Sequence, residues 1–388
     1  YRRTGEVADE LAQAEALGAD PTVLDMAQGL AALGESRQDD ALVHLRAAYD
    51  ATPDDARICY LFAWGLRRDG QREAARELLA ASDARELSMT PDAWFFRGLA
   101  LHNDEPEAAM ECYRNASRLR ANQHAFYPQA VIHLARAQNQ RLYAERDIAT
   151  LTETLNEAVP SLKQLVQNGS YEAYPHYLLS IAYRFAAEIS AGSEGTRDDT
   201  ATQAYYAQSL EWARCGQQLA PTYERAITAE AECLESMGRY AEALEARNRA
   251  ISAAPSDMSR CEGLHYRWRL EYWLGQYDAA LADVEAHAAC LPDNLQYAHV
   301  YPALVLYELG RGDEALAHAR GLADEHPHDA NAIIWSATTL RLSRSRPRRS
   351  MVLTKFVPWA ETTQDVRRMR WGPPAARMPC SPASFDRP

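Results

Sequence analysis

The sequence predicts an all-α fold, an α-solenoid of about eight helix–turn–helix repeats. One observation behind this prediction is a recurring run, clearest in GRYAEALEARNRAISAAP, which places a glycine, an aromatic residue, small residues and a proline in a fixed order. The other is the regular separation of the prolines that end successive runs, which is about 34 to 37 residues between Pro221, Pro255, Pro292 and Pro327. Such a period is typical of solenoids, in which each repeat packs against its neighbours.

The run near residue 240 predicts a pair of helices. The first helix covers 226–237 and stops at Gly238, because glycine readily takes the left-handed conformation that ends a helix. The second helix carries Ala243 and Ala250 on one face, where small side chains let the partner helix come close. Pro255 then ends this second helix, since proline cannot continue the hydrogen-bond ladder.

The same pattern predicts a solenoid over residues 1–342. Four repeats keep the spacing most clearly: 22–55, 224–257, 261–294 and 295–329. Residues 56–121 contain two looser copies. Residues 122–223 diverge into longer helices, with one expected at 151–167 and a Ser-, Gly- and charge-rich loop expected at 190–199.

Both ends differ from the repeat pattern. The segment VADELAQAEALGADP near the start is typical of the second helix of a repeat, which suggests that the chain begins inside a longer polypeptide. Residues 331–342 are typical of a first helix. The basic, Pro- and Arg-rich tail at 343–388 has no helical period, so we expect it to be disordered or to come from out-of-frame translation.

Composition points to a cytoplasmic protein without a membrane segment. The net charge is −13, and the negative charge lies in the repeats, which should therefore repel nucleic acid and anionic membranes. The seven cysteines are scattered and never form a CxxC pair, which favours buried, reduced thiols over a disulfide framework or a metal site. No secretory signal or membrane-spanning apolar run is present.

Catalytic motifs are absent from the sequence. It contains no phosphate-binding GxxxxGK[ST] or GxGxxG loop, no kinase motif set, no HExxH and no GxSxG. His326 and His328 flank Pro327 in what we interpret as a loop rather than a metal pair. We therefore predict a protein that is not an enzyme and that requires neither a cofactor nor a metal.

The 34-residue period and the triplet of Trp94, Gly98 and Leu101 resemble the tetratricopeptide repeat family over roughly residues 5–342. This resemblance implies a right-handed superhelix that acts as a protein-binding scaffold, with the first helix of each pair lining a concave groove. It implies a protein or peptide as the partner. Members that hold a terminal carboxylate with a Lys/Asn clamp differ from this chain, whose only lysines are Lys163 and Lys355.

By this resemblance, ten side chains on the first helices are candidates for the groove lining. They are aromatic, arginine or histidine residues: Tyr60, Trp64, Arg67, Arg68, His265, Arg269, Tyr272, Trp273, His299 and Tyr307. An exposed cluster of this kind suits an acidic or C-terminal peptide. The alternative is that the aromatic rings pack within the array, because Tyr and Trp are commonly mostly buried.

Three functional hypotheses follow from the sequence. The leading hypothesis is a non-catalytic scaffold that binds a peptide or a helix in its groove. The second is the C-terminal regulatory region of a larger bacterial Ser/Thr kinase or transcription regulator whose catalytic part precedes residue 1. The third is an enzyme built on the solenoid, which the missing motifs disfavour.

Overall fold

The structure is a computed structural model that describes residues 4–118, 126–167, 172–194, 200–290 and 300–325. The regular elements in these ranges are α-helices, and consecutive helices pack against each other in pairs. This arrangement confirms the predicted all-α helical-repeat fold. The chain divides into two compact units, residues 1–170 and residues 171–388.

The described part of the first unit consists of one helix, three helix pairs and a group of three helices, in chain order. The helices are α1 Thr4–Ala16, α2 Pro21–Gly34, α3 Gln38–Ala51, α4 Ala56–Arg68, α5 Arg72–Ala84, α6 Pro91–Leu101, α7 Pro106–Arg118, α8 Tyr127–Glu145, α9 Ile148–Asn156 and α10 Ala158–Gln167. The core lies between the paired helices and includes Leu33, Leu45, Phe96 and Tyr113, none of which is exposed by more than 1%.

Gly98 explains why the Trp94, Gly98, Leu101 triplet suits a first helix. A Cβ atom at Gly98 would lie 2.6 Å from Cε1 of Tyr113 in α7. The fully buried Tyr113 ring therefore occupies the space that a larger residue at position 98 would need. Leu101 and Trp94 flank this contact, Leu101 in the core and Trp94 packed against it.

The helix predicted at 151–167 is split into two. Helix α9 ends at Asn156 and α10 begins at Ala158, with Glu157 between them. Pro160 lies in the first turn of α10, a position that tolerates a residue without a backbone N–H. The same proline could not continue a helix from α9, because it cannot donate to the carbonyl of Asn156.

The described part of the second unit contains four helix pairs. The helices are α11 Ala173–Glu194, α12 Thr200–Leu219, α13 Glu224–Ser236, α14 Tyr240–Ala253, α15 Asp257–Trp273, α16 Tyr277–Cys290, α17 Tyr301–Glu308 and α18 Gly312–Glu325. Helices α11 and α12 are longer than the repeat helices, as the sequence predicts. Since α11 reaches Glu194, the prediction of a loop from Ser190 is wrong for 190–194, while 195–199 lie outside the described residues.

The turn between α13 and α14 has the predicted geometry. Gly238 has a φ of 75°, in the left-handed region, and the N–H of Arg239 donates to the carbonyl of Leu234 at 2.8 Å. This bond pairs a carbonyl that would otherwise be unpaired at the helix end. Ala243 and Ala250 are 0% and 3% exposed, so both lie at helix contacts.

The prediction of reduced cysteines is wrong for one pair. Cys261 in α15 and Cys290 at the end of α16 form a disulfide, with their Cα atoms 6.4 Å apart. The sequence pattern did not show this pair because the residues are brought together by the packing of α15 on α16. Cys59, Cys112 and Cys233 are buried and free, as predicted.

Several sequence predictions concern residues outside the described ranges. These are the first helix at 331–342, the tail at 343–388 and the His326–His328 segment. Within the described ranges, none of the helices combines the length and the apolar character needed to cross a membrane.

Candidate functional site

The predicted stripe on α4 begins with Tyr60, which is buried. Its side chain is 2% exposed, and its hydroxyl donates a hydrogen bond to Oδ1 of Asp83 at 2.7 Å. Arg97 in turn donates to both oxygens of Asp83. Burial is the main reason that the pKa of Tyr60 is raised, and the hydrogen bond to Asp83 adds to it. The expectation that Tyr60 presents its ring to a partner is therefore wrong.

Arg67 and Arg68 have different roles although they are adjacent in the sequence. Arg67 is 9% exposed, donates to the backbone carbonyl of Ala100 and pairs with Asp104 at 3.0 Å, so it joins α4 to the end of α6. Arg68 is exposed and donates to the carbonyl of Leu33 at 2.7 Å. Its guanidinium carbon lies 5.5 Å from the centre of the Trp64 ring. Trp64 and Arg68 are the part of this stripe that remains accessible.

A second group, which we call the Trp273 cluster, consists of Glu235, Tyr240, Arg269 and Trp273. The Trp273 ring is partly exposed and its centroid lies 5.0 Å from that of Tyr240. The guanidinium of Arg269 lies 5.3 Å from the same indole ring. Arg269 also pairs with Glu235 at 3.6 Å, through side chains that are about 15% exposed. The cluster thus combines an aromatic surface with an arginine that already interacts with a carboxylate.

The Trp273 cluster is assembled by the last turns of α13 and α15 and the first turn of α14. Glu235 and Arg269 are one repeat length apart, and they lie on the first helices of adjacent pairs. Sequence reasoning missed Glu235 and the role of Tyr240. Comparing equivalent positions of adjacent repeats for opposite charges would have indicated the contact between Glu235 and Arg269.

The other predicted residues of the second unit are distributed between core and surface. Tyr272 is 7% exposed and donates to Oε1 of Glu308 at 3.1 Å, so the expected exposure of its ring is wrong. Tyr307 is partly buried against the same hydrophobic core. His265 is partly exposed and lies edge-on to Tyr266, with the ring centroids 4.7 Å apart. His299 lies outside the described residues.

A buried acidic pair on α15 and α16 was also missed. Arg267 donates through Nε and Nη2 to the two oxygens of Asp283, at 2.6 Å each. Glu271 lies 3.7 Å from Arg267, and its Oε2 has no hydrogen-bond partner among the described residues. Burial, together with the charge of Asp283, raises the pKa of Glu271 to about 7. One arginine thus faces two carboxyl groups, of which Glu271 has the raised pKa.

The described residues contain no group of three or more His, Cys, Asp and Glu side chains that could hold a metal ion.

No protein-family model and no curated protein matches the chain. Solved structures that are similar to it include a thermophilic tetratricopeptide repeat protein of Thermus thermophilus, with 19% identity and a TM-score of 0.41 over 56% of this chain and 100% of that chain. A tetratricopeptide repeat protein of Parabacteroides merdae has 11% identity and a TM-score of 0.46 over 74% of this chain and 99% of that chain.

A chain in the structure of Naa15/Naa10 bound to HypK-THB has 16% identity and a TM-score of 0.33, over 83% of this chain and 39% of that chain. The first two structures are of tetratricopeptide repeat proteins, the family that the sequence resembles.

Proposed function

We propose that the chain is a non-catalytic scaffold that binds a protein or a peptide, and that the Trp273 cluster is a contact site for this partner. The observation that supports this proposal most directly is the partly exposed indole of Trp273 beside the guanidinium of Arg269. Tryptophan and arginine are the residue types that most often contribute a large share of binding energy at protein interfaces.

The chemistry of the cluster favours a partner that carries a carboxylate. Arg269 holds Glu235 at 3.6 Å, longer than the ion pair of 2.8 Å between Arg97 and Asp83. A carboxylate of the partner could compete with Glu235 for this guanidinium, because the existing pair is loosely held. The ring of Trp273 would supply an apolar surface beside the new ion pair.

Trp64 and Arg68 on α4 provide a similar pair in the first unit. The exposed Arg68 lies over the Trp64 ring, which is itself packed against the core. We propose this pair as a second contact site of the same kind. The two sites are independent proposals, since each depends only on the residues of its own unit.

The test begins with cross-linking and mass spectrometry, which identify a partner and the residues of this chain that it touches. The affinity of that partner is then measured for the parent and for Trp273→Ala. We expect Trp273→Ala to weaken binding by about 1–4 kcal/mol while the helical circular dichroism signal is retained.

A matched control is Trp212→Ala, which removes a partly buried tryptophan that packs on His176 in the same unit. This control should retain the affinity of the parent. If Trp273→Ala binds as the parent does, or if the cross-links avoid α13 to α15, the site is wrong. If Trp273→Ala unfolds, Arg269→Met serves as the second variant.

A further inference from the structure

Arg247 in α14 is buried without a hydrogen-bond partner on two of its nitrogen atoms. The side chain is 2% exposed and is one of the largest fully buried side chains of the described chain. Its guanidinium carbon lies 4.7 Å from the centre of the Tyr266 ring, in α15. The Nε and Nη2 atoms have no hydrogen-bond partner among the described residues.

These two nitrogens form one edge of the guanidinium group. In other arginines of this protein, the same edge binds a carboxylate. Arg97 uses Nε and Nη2 to hold both oxygens of Asp83. Arg239 holds Glu242 in the same way, and Arg267 holds Asp283. A guanidinium edge and a carboxylate match in geometry, because two parallel N–H groups meet two oxygens. Arg247 has the same edge in place with no acceptor on it.

The burial of Arg247 lowers the free energy of unfolding, because a buried charge without a hydrogen-bonded partner is strongly unfavourable. The Tyr266 ring covers one face of the guanidinium, and a cation–π contact compensates for only part of the lost hydration. This contact involves the face of the guanidinium, so the buried Nε and Nη2 atoms at its edge remain without a hydrogen bond. The Nε–H and Nη2–H groups of Arg247 therefore lack acceptors, and an anion with two oxygens would supply one to each.

The helices around Arg247 hold its position. Along the contact of α14 with α15, Ile251 meets Gly263, and a Cβ atom at Gly263 would lie only 2.5 Å from Ile251 Cγ1. On the other side of Arg247, Tyr240 packs on Trp273. Tyr266 lies between these two contacts and is 36% exposed, so its side chain borders the solvent above Arg247. Because Arg247 is 2% exposed, a ligand can reach its guanidinium only if a covering side chain moves, and Tyr266 covers one face of it.

We propose that Arg247, beneath Tyr266, is a binding site for a carboxylate group. The recognition uses the Nε and Nη2 edge, and Tyr266 covers the bound group from the solvent side. That the carboxylate belongs to a protein or peptide partner, as an acidic side chain or a chain terminus, rests on the proposed scaffold function. The carboxylate site itself does not depend on that function.

The test uses acetate alone as the probe, on the full chain. Chloride is replaced stepwise by acetate at constant ionic strength, and the melting temperature is followed by circular dichroism. Acetate that binds only the folded chain should raise the melting temperature progressively. Arg247→Met should lose this rise, and without acetate it should melt at a higher temperature than the parent because the unpaired charge is gone.

Arg239→Met is the matched control, since Arg239 lies immediately before α14 and its edge is occupied by Glu242. This variant should keep the full response to acetate. Arg247→Lys retains the charge without the two-pronged edge and should also lose the response, which provides a second variant if Arg247→Met does not fold. A parallel titration with inorganic phosphate should give a smaller shift than acetate.

The inference is overturned if the parent does not respond to acetate, or if Arg247→Met or Arg247→Lys responds as the parent does. A phosphate response as large as that to acetate would overturn the carboxylate preference. These outcomes are separate from the scaffold proposal. If the parent does not respond to acetate but partner binding depends on Trp273, the scaffold proposal stands and the carboxylate site is wrong. If the parent responds to acetate but partner binding does not depend on Trp273, the carboxylate site stands without the scaffold proposal.

Discussion

The hydroxyl of Tyr272 donates a hydrogen bond to Oε1 of Glu308 at 3.1 Å, and this bond joins α15 to α17, the first helices of adjacent pairs. Arg269 and Glu235 make the corresponding connection between α15 and α13. In a repeat protein, stability depends on such contacts between neighbours as well as on each pair of helices. Helix α15 is therefore coupled to the pair before it and the pair after it by polar side chains.

Tyr272→Phe tests the contact with Glu308. We expect a loss of about 0.5–1.5 kcal/mol in the free energy of unfolding, because one buried hydrogen bond is removed while the ring remains packed. Urea denaturation measures this change. Tyr205→Phe is the control, since the contact of Tyr205 with its neighbour Tyr183 is made by the ring, which this change retains. Equal stability of Tyr272→Phe and the parent would show that the bond with Glu308 does not couple the repeats.

Ala243→Leu tests the close approach of α13 and α14. Ala243 is 0% exposed, so the larger side chain should force the helices apart and cost about 1–3 kcal/mol by overpacking. Thermal melting measures the loss. Ala241→Leu on the exposed face of the same helix should melt like the parent. Indistinguishable melting curves for both variants would place Ala243 outside the helix contact.

Glu271→Gln tests the acidic pair of α15 and α16. Since burial and Asp283 raise the pKa of Glu271 to about 7, the folded chain keeps this proton when the unfolded chain has released it. The contribution of Glu271 to the free energy of unfolding therefore falls as the pH rises from the pKa of the unfolded state, near 4.5, to about 7. Above about pH 7 this contribution is constant. Glu271→Gln should remove this decline and be more stable than the parent at pH 8.

The measurement is urea denaturation of the parent and the Glu271→Gln variant at pH 5 and pH 8. Glu262→Gln, an exposed substitution on the same helix, is the control and should follow the parent at both values. A difference between parent and Glu271→Gln that is the same at pH 5 and pH 8 would contradict the raised pKa.

Glu230→Gln should show the opposite dependence on pH. Burial by itself would raise the pKa of Glu230, but hydrogen bonds from Arg214, Gln217 and Arg249 outweigh burial and lower it. The stability that ionised Glu230 provides is therefore present above the unfolded pKa and is lost as the pH falls through the lower folded pKa. Because both arginines are more than 40% exposed, we expect a cost of only about 1–2 kcal/mol at pH 7.

Urea denaturation as a function of pH checks this prediction. The cost of Glu230→Gln should shrink as the pH falls below 4.5, because the parent then loses the same charge. Glu245→Gln, which changes an exposed carboxylate on α14, is the control. If the cost of Glu230→Gln grew at low pH, the ionised state of Glu230 would not be the stabilising one.

The sequence by itself determined the helical pairs and several of their ends. The period of about 34 residues, the small residues at Ala243 and Ala250 and the glycine at 238 are local signals, because helix periodicity and backbone conformation depend on residues close in the chain. The structure has the expected packing at both alanines and the expected left-handed φ at Gly238. The split at Glu157 was missed although Pro160, which cannot continue a helix from α9, is a local signal for it.

Only the tertiary structure decided which side chains remain accessible. Arg67 and Arg68 are adjacent and chemically identical, yet Arg67 is held by Ala100 and Asp104 whereas Arg68 is exposed. Tyr272 and Trp273 differ in the same way, because Glu308 of a later helix binds the tyrosine. The exposure of each side chain depends on residues that a neighbouring helix brings to it, and these lie about one repeat away in the sequence, beyond the reach of any local pattern.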